Sequence, residues 1–451
     1  MSTIIEQPRF SCALAAQQTV LAIPRGIPII HAGPGCSSKA FSYASYGSGF
    51  QGEGYAGGAM VSCTNSGEQE VVFGGEGKLK DVVEGALKVL DGDLYVILTG
   101  CTAGIIGDDP INVAKKFMLE GKPVIGVETA GFKGNNYLGH ELVVNEIIEQ
   151  YLGDAEPKIE KGLVNVFSVV PYQNPFWRGD LEEIKELLEK IGLKVNILYG
   201  CSSLGIKEWD DIPNAQFNIL LSPWVGLETV KLLEKKYGTP YMYYPVFPIG
   251  AKETGSFLRE AGRFAGLPES VTEQVILREK ERYYTYFTGM ADFISDYRGN
   301  LPFDLFTVAD SIYAVGISNY LVNELGFLPK GIYITDEPGE ERMSEIEKVL
   351  LNMGNEFAGS YTFEADGGKI EADIRSKIKQ SRRTLILGSS WEKFLAEETG
   401  NTHAYISLPI NDSLILNRSY VGYDGGLRLL EEIYSSSLRR NVTSSRTQSY
   451  A

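Results

Sequence analysis

The sequence has 451 residues, of which 43% are hydrophobic and 22% are charged, and its net charge is −16 at pH 7. This charge argues against a nucleic-acid groove and against binding to an anionic membrane surface. No apolar run approaches the roughly 20 residues of a membrane span, and neither a secretory signal nor a disulfide framework is evident, so we expect a cytoplasmic protein.

The first domain is predicted over residues 1–162, where signals for strands and helices alternate. Short apolar, β-branched runs end just before Cys36 and Cys101, so each of these cysteines follows the C-terminal end of a buried strand. An amphipathic helix is predicted over 76–91, and a strand over 123–127 leads into another glycine-rich loop. Open α/β sheets bind ligands at the edge where their strands end.

The alternation of strands and helices restarts twice along the rest of the chain. It predicts a middle domain over 163–300, including a mostly helical segment over 251–297, and a C-terminal domain over 301–438. The polar residues 439–451 are predicted to form a disordered tail. The predicted fold is therefore α/β, with three doubly wound, Rossmann-like domains built on mostly parallel sheets.

Three cysteines are candidate metal ligands: Cys12, Cys36 and Cys101. Thiolates carried on glycine-bearing loops suit an iron–sulfur cluster, because glycine lets the backbone approach a cofactor closely. Backbone amides near Gly35 and Gly100 can hydrogen-bond the sulfides of such a cluster. The gaps of 23 and 64 residues between the cysteines are longer than those of compact cluster motifs. Cysteines that simply fill the core therefore remain an alternative.

Three further residues are expected to support the structure rather than to bind metal. Cys63 is either a fourth ligand or a thiol that is packed or lies behind the ligands, and the second interpretation is favoured. Cys201 follows a strand of the middle domain, has no partner nearby in sequence, and is expected to be a structural or solvent-edge thiol. His140 lies near a helix start and is expected to cap that helix or to lie at the surface.

A series of motifs, taken together and in this order, resembles component 1 of nitrogenase and its relatives over nearly the full length. The relatives include the molybdenum–iron protein subunits, a cofactor-assembly scaffold and nitrogenase-like reductases of tetrapyrroles and thioethers. The motifs are HAGPGC (31–36), VFGG (72–75), CTAGIIGDD (101–109), GFKG (131–134), LSPW (221–224), ADSIYAVGI (309–317) and GYDGG (422–426).

This resemblance implies an oxidoreductase subunit. It places Cys12, Cys36 and Cys101 on the cysteines that each such subunit offers to an interface cluster, either [4Fe-4S] or a P-cluster-like [8Fe-7S]. The cluster would be shared with a homologous α-type subunit in an α2β2 complex. A separate ATP-dependent iron protein would supply electrons for a substrate site on the partner.

The chain departs from the catalytic α-type subunits of this family. It lacks the cysteine within 221–223 and the histidine within 408–451 that would hold the large metal cofactor, so it resembles a β-type subunit. A serine that assists the P-cluster in some β subunits is replaced by Gly131, which argues against eight irons. The alternatives are a subunit of a tetrapyrrole or organosulfur reductase, a scaffold for cofactor maturation, and a metal-free metabolite-binding protein.

Overall fold

The computed structural model describes residues 5, 7–42, 48–50, 61–379 and 383–448. The first sheet contains four parallel strands in the order β3-β1-β4-β5. The strands of this part of the chain are β1 (Gly26–His31), β2 (Ser48–Phe50), β3 (Ser62–Cys63), β4 (Leu94–Thr99) and β5 (Val124–Val127). The helices are α1 (Gln17–Ala22), α2 (Pro34–Ser42), α3 (Glu68–Phe73), α4 (Glu76–Val89), α5 (Cys101–Ile106), α6 (Pro110–Leu119) and α7 (Asn136–Glu146).

The second sheet also has four parallel strands, in the order β7-β6-β8-β9. Its strands are β6 (Glu160–Phe167), β7 (Lys194–Asn196), β8 (Ala215–Leu220) and β9 (Tyr241–Tyr243). The helices are α8 (Trp177–Lys190), α9 (Ile206–Asp210), α10 (Leu227–Tyr237), α11 (Gly250–Phe264), α12 (Glu269–Gly289) and α13 (Ala291–Tyr297). The predicted helical segment over 251–297 is thus three consecutive helices.

The third sheet has five parallel strands in the order β12-β11-β10-β13-β14. The strands are β10 (Asp304–Ala309), β11 (Leu328–Ile334), β12 (Tyr361–Phe363), β13 (Thr384–Gly388), β14 (Thr402–Tyr405) and β15 (Ile410–Leu414), of which β15 pairs with β2. The helices are α14 (Ser311–Asn323), α15 (Glu340–Met353), α16 (Gly367–Lys377), α17 (Ser390–Thr399) and α18 (Gly422–Gln448). Each sheet with its flanking helices is called a unit below.

Strand β4 shows why these apolar runs form buried parallel strands. Its side chains alternate between two separate cores: Tyr95 and Ile97 belong to one cluster, and Val96 and Leu98 belong to the other. A strand with cores on both sides must be apolar at every position, because no face meets water. The α/β fold with mostly parallel sheets is therefore confirmed. Among the described helices, none is long and apolar enough to cross a membrane.

The last helix differs from its prediction. The sequence placed the end of this helix near residue 437 and a disordered tail from Arg439, whereas α18 continues to Gln448. The added residues contain neither proline nor glycine, so nothing in their sequence breaks a helix. Residues 449–451 lie outside the described part of the chain.

Candidate metal centre

The three candidate cysteines lie at starts of helices or turns on one side of the first unit. Cys101 is the first residue of α5, directly after β4 and Gly100. Cys36 lies in the first turn of α2, after β1, and Cys12 precedes a short turn of 3-10 helix. The sequence placed these thiols on loops, but two of them belong to the helices that follow the strands. All three are exposed.

The structure brings the Cys12 and Cys101 thiols together beside Gly131. A Cβ atom built on Gly131 would lie 3.0 Å from Cys101 Sγ and 3.5 Å from Cys12 Sγ. The glycine therefore leaves room that any other residue would fill. Cys36 lines the same cavity as Cys12 and Gly131. Burial, and then the charges of Cys12 and Cys101, raise the pKa of its thiol. Three thiolates gathered here would repel one another unless a cation lay between them.

A cavity of about 790 Å³ opens beside Cys12 and Cys36, where the first unit meets the other two. Trp224 from the second unit and Arg342 from the third contribute to its wall, and the Arg342 guanidinium lies 4.9 Å from the centre of the Trp224 ring. The Glu141 carboxylate is 3.7 Å from Arg342. Burial raises the pKa of Glu141, and the Arg342 charge opposes that rise. The cavity wall therefore combines the aromatic face of Trp224 with a neighbouring acid and base, Glu141 and Arg342.

A buried hydrogen-bond network that sequence reasoning missed fixes the loops at this edge. His31 Nε2 lies 2.8 Å from Asp108 Oδ2, and His31 Nδ1 lies 3.1 Å from Thr64 Oγ1. The same Asp108 carboxylate accepts from the Gly75 amide at 3.0 Å. His31 and Asp108 both stand within motifs that the sequence analysis singled out, but they lie 77 residues apart and no local pattern pairs them.

The backbone amides at the two proposed glycines differ in their availability. The Gly100 amide donates to His31 O at 3.0 Å, so it is already used within the protein. The amides of the first turn of α5 have no intrahelical acceptor, as at any helix start. Gly35 lies in the first turn of α2, is exposed, and has open space where a Cβ would stand. Its amide likewise has no intrahelical acceptor.

The remaining cysteines and histidines have other surroundings. Cys63 is half-buried in β3 and packs against the core, and its thiol donates to Ala32 O at 3.4 Å. Cys201 is exposed in the second unit, after β7. His140 neither caps a helix nor lies at the surface: it is buried, and burial lowers its pKa to about 3. Burial also lowers the pKa of His403 to about 4.

The donor set fits a cluster better than a single ion. Within the described ranges, no group of three histidine, cysteine or acidic side chains is arranged to hold one metal ion. Cys12 and Cys36 instead line one cavity together with Gly131, and Cys101 Sγ lies beside Gly131. Soft thiolate donors favour iron–sulfur clusters. A four-iron cluster takes four such ligands. Three thiols exposed on one chain would therefore leave at least one position for a second chain.

The arrangement of three parallel sheets places the protein among the three-unit α/β proteins with the fold of nitrogenase component 1. A structure titled "Nitrogenase Cp1 at pH 6.5" superposes with a TM-score of 0.78, covering 98% of this chain and 94% of that chain at 23% identity. This likeness concerns the fold.

The sequence comparisons then give the family. The model of the family "Nitrogenase component 1 type Oxidoreductase" matches residues 11–438, and the chain belongs to this family of oxidoreductases. The nitrogenase molybdenum-iron protein beta chain of Methanococcus maripaludis is 25% identical over 97% of this chain and 95% of its own length. One subunit of the light-independent protochlorophyllide reductase of Chaetosphaeridium globosum is 25% identical over 76% of this chain and 67% of its own length.

Proposed function

We propose that this chain is the β-type subunit of a cytoplasmic nitrogenase-like reductase and that it holds an iron–sulfur cluster through Cys12, Cys36 and Cys101. A homologous α-type subunit completes the cluster in an α2β2 complex and carries the substrate site. The β-type subunit receives electrons from an ATP-dependent iron protein and passes them to that partner.

The observation that carries this proposal is the position of Gly131 between two of the thiols. A side chain at this position would stand 3.0 Å from Cys101 Sγ and 3.1 Å from Cys12 Cβ. Thiols that only filled a core would be buried, whereas all three are exposed. Such an opening suits a cofactor that is covered by a second subunit.

The chain's own residues supply the ligands, their orientation and the amides around them. When bound, an iron–sulfur cluster supplies one-electron transfer. Cys101 and Cys36 are held by helices that begin directly beyond buried strands, so their positions are rigid. The Gly35 amide and those of the first turn of α5 are placed to donate hydrogen bonds to sulfide, which tunes a cluster's reduction potential.

Iron and sulfide analysis of the tagged complex, purified anaerobically with its partner, tests this function. We expect Cys36→Ala and Cys101→Ala to lower iron per chain at least about tenfold, because even the loss of a partner behind the ligands costs about 10–100-fold in metal affinity. Cys201→Ala is the matched control, because it removes an equally exposed thiol from the second unit, and it should retain all of the iron.

Two outcomes would contradict the proposal. One is a correctly folded wild-type complex that contains no iron. The other is a wild-type visible spectrum that Cys36→Ala and Cys101→Ala leave unchanged, which would favour a metal-free binding protein.

A tetrapyrrole reductase is the second candidate, and the cavity beside Cys12 favours it. Its volume of about 790 Å³ is within the range of sites for large organic ligands. Its Trp224 face suits a flat ring, and Arg342 suits a carboxylate. Assaying the complex and its iron protein with dinitrogen, a thioether and a tetrapyrrole separates the reductases from one another. A maturation scaffold would instead load a metal cluster and release it without turnover.

A further inference from the structure

A short N-terminal strap, defined here as residues 7–13, joins the third unit to the first and carries Cys12. Its beginning pairs with the third unit: the Gly367 amide donates to Gln7 O at 3.0 Å, and the Arg9 amide donates to Ala365 O at 3.3 Å. Pro8 forms an antiparallel bridge with Asp366. This part of the strap lies along the surface of the third unit, although it precedes the first unit in the sequence.

The end of the strap pairs with the first unit. The Ser11 amide donates to Asn136 Oδ1 at 2.7 Å, and the Ala13 amide donates to Gly134 O at 3.0 Å. Cys12 itself forms a bridge with Asn135. The Asn135 side chain donates in turn to Asp336 O at 2.9 Å, so the third unit also holds the backbone that pairs with Cys12.

The strap is anchored by one buried side chain, Arg9, which is only 4% exposed. Its guanidinium donates to Glu392 at both carboxylate oxygens, one of these bonds being 2.9 Å long, and to Ser389 Oγ at 3.0 Å. It also stacks 4.4 Å from the centre of the Trp391 ring. Burial opposes ionisation of Glu392, but the Arg9 charge and the Ser389 donors outweigh it and hold the pKa of Glu392 below its ordinary value.

Only two residues lie between this anchor and Cys12, which is three positions along the chain. Three extended residues span at most about 10 Å, so Cys12 cannot move far from Arg9. The Gln7 and Arg9 side chains also pack against the start of α16, because a Cβ on Gly367 would stand 3.2 Å from the Arg9 guanidinium and 2.9 Å from Gln7 Oε1. A displacement of the third unit relative to the first is thus passed directly to Cys12.

We propose that Arg9 is a positioning residue: its pairing with Glu392 and Ser389 fixes the strap and thereby holds the Cys12 thiol beside Cys101. The inference rests on the proposed function, in which both thiols bind the cluster. It assigns to the third unit control over one ligand of a site that lies otherwise in the first.

The direct test measures the distance between the two thiols without any metal. In the metal-free full-length chain, diamide oxidises Cys12 and Cys101 to a disulfide, and mass spectrometry of digests follows its rate. Arg9→Met should slow this reaction at least about fivefold, because release of the strap lowers the effective concentration of one thiol at the other. Hydrogen exchange of residues 9–13 should become faster by a similar factor.

A second variant separates positioning from simple loss of stability. In Arg9→Met with Glu392→Met, no charge is left buried and unpaired, so folding recovers while the anchor is still missing. Formation of the disulfide should remain about fivefold slower in this double variant than in wild type. Tyr313→Phe is the control, because it removes a buried bond of 2.5 Å to Asp180 that does not involve the strap, and it should leave the rate unchanged.

A wild-type rate in the double variant would overturn the inference, and so would an equal slowing in Tyr313→Phe. In the anaerobic complex, the double variant should also show altered electron paramagnetic resonance of the cluster. A wild-type complex without iron would refute the proposed function alone, because the disulfide rate still decides whether Arg9 positions Cys12. The double variant could form the disulfide slowly and yet have the iron content and the electron paramagnetic resonance spectrum of wild type. That result would refute the link between Arg9 and the cluster.

Discussion

The first and third sheets end in the same way but use their carboxyl edges differently. After β1 and β4, the chain places Cys36 and Cys101 at exposed positions. After β10 and β11, it places Asp310 and Asp336, which are only 3% and 1% exposed. One edge of this molecule is therefore left open for a ligand, whereas the other is closed by contacts between units.

Donors from the second unit reach the two carboxylates of the closed edge. Asp310 accepts from Asn174 of the second unit at 2.9 Å, and Asp336 accepts from the Trp224 indole at 2.7 Å. These polar contacts join the units where a purely apolar interface would be less specific. The comparison teaches that a strand end carrying a polar residue predicts a site only when that residue stays exposed.

The largest effect on stability is expected at the anchor of the strap. Arg9→Met leaves the Glu392 carboxylate buried without its cation, and such losses cost about 3–5 kcal/mol. Urea denaturation measures the change. Arg375→Met is the control, since Arg375 makes only exposed ion pairs and its loss should cost less than about 1 kcal/mol. Equal losses of unfolding free energy in the two variants would show that burial of the Arg9–Glu392 pair adds nothing to its contribution to stability.

Carboxylates buried at the contacts between the second and third units should also make stability depend on pH. Burial raises the pKa of Asp180 and of Asp310 to about 7, from an ordinary value of 3.8; Tyr313 and Ser419 oppose the shift at Asp180, and the charge of Asp336 adds to that at Asp310. Because the unfolded chain gives up these protons first, the unfolding free energy should fall as pH rises from about 4 to 7. It should level off above pH 7.

Asp180→Asn isolates one of these two groups. The variant should lose part of the decline between pH 4 and 7, on the order of 2 kcal/mol, when urea denaturation is compared at both ends of the range. Glu183, whose carboxylate is a charged neighbour of Asp180, is unchanged in this variant. A decline identical to that of wild type would mean that Asp180 is already ionised at low pH.

The network behind the open edge should have an intermediate effect. Asp108→Asn replaces a carboxylate that accepts from His31 and from the Gly75 amide, and hydrogen bonds to charged groups contribute about 1.5–3 kcal/mol. Asp109→Ala is the matched control, since it removes only the cap of α6 and should cost about 1 kcal/mol. Thermal denaturation compares the two losses of stability. A larger loss in Asp109→Ala than in Asp108→Asn would show that Asp108 does not hold these loops in place.

The smallest effect on stability, but a clear effect on iron, is expected at Gly131. Gly131→Ala should change the unfolding free energy by less than about 1 kcal/mol, because the thiols beside it are exposed. Iron per chain should nevertheless fall by about half or more as the added methyl fills the space between the thiols. Gly85→Ala, which adds a methyl into open space on helix α4, should keep its iron. Unchanged iron in Gly131→Ala would show that the cluster does not occupy this space.

The sequence predicted the sheets well because their strands are apolar on both faces and end at glycines or polar residues. It also predicted that Cys36 and Cys101 follow strands, since strand ends are a local signal. It could not predict the pairing of Arg9 with Glu392, because the two residues lie 383 positions apart and neither stands in a distinctive pattern. The burial of His140 was missed for a different reason: a polar residue near a helix start usually faces solvent.

The strap has a consequence for biosynthesis. Arg9 leaves the ribosome well before its partner Glu392, which follows 383 residues later. Domains fold in order as they emerge during translation. The Cys12 thiol therefore gains its final place only after Glu392 has been made, so under the proposed function a nascent chain that has not reached Glu392 would offer an incomplete set of ligands.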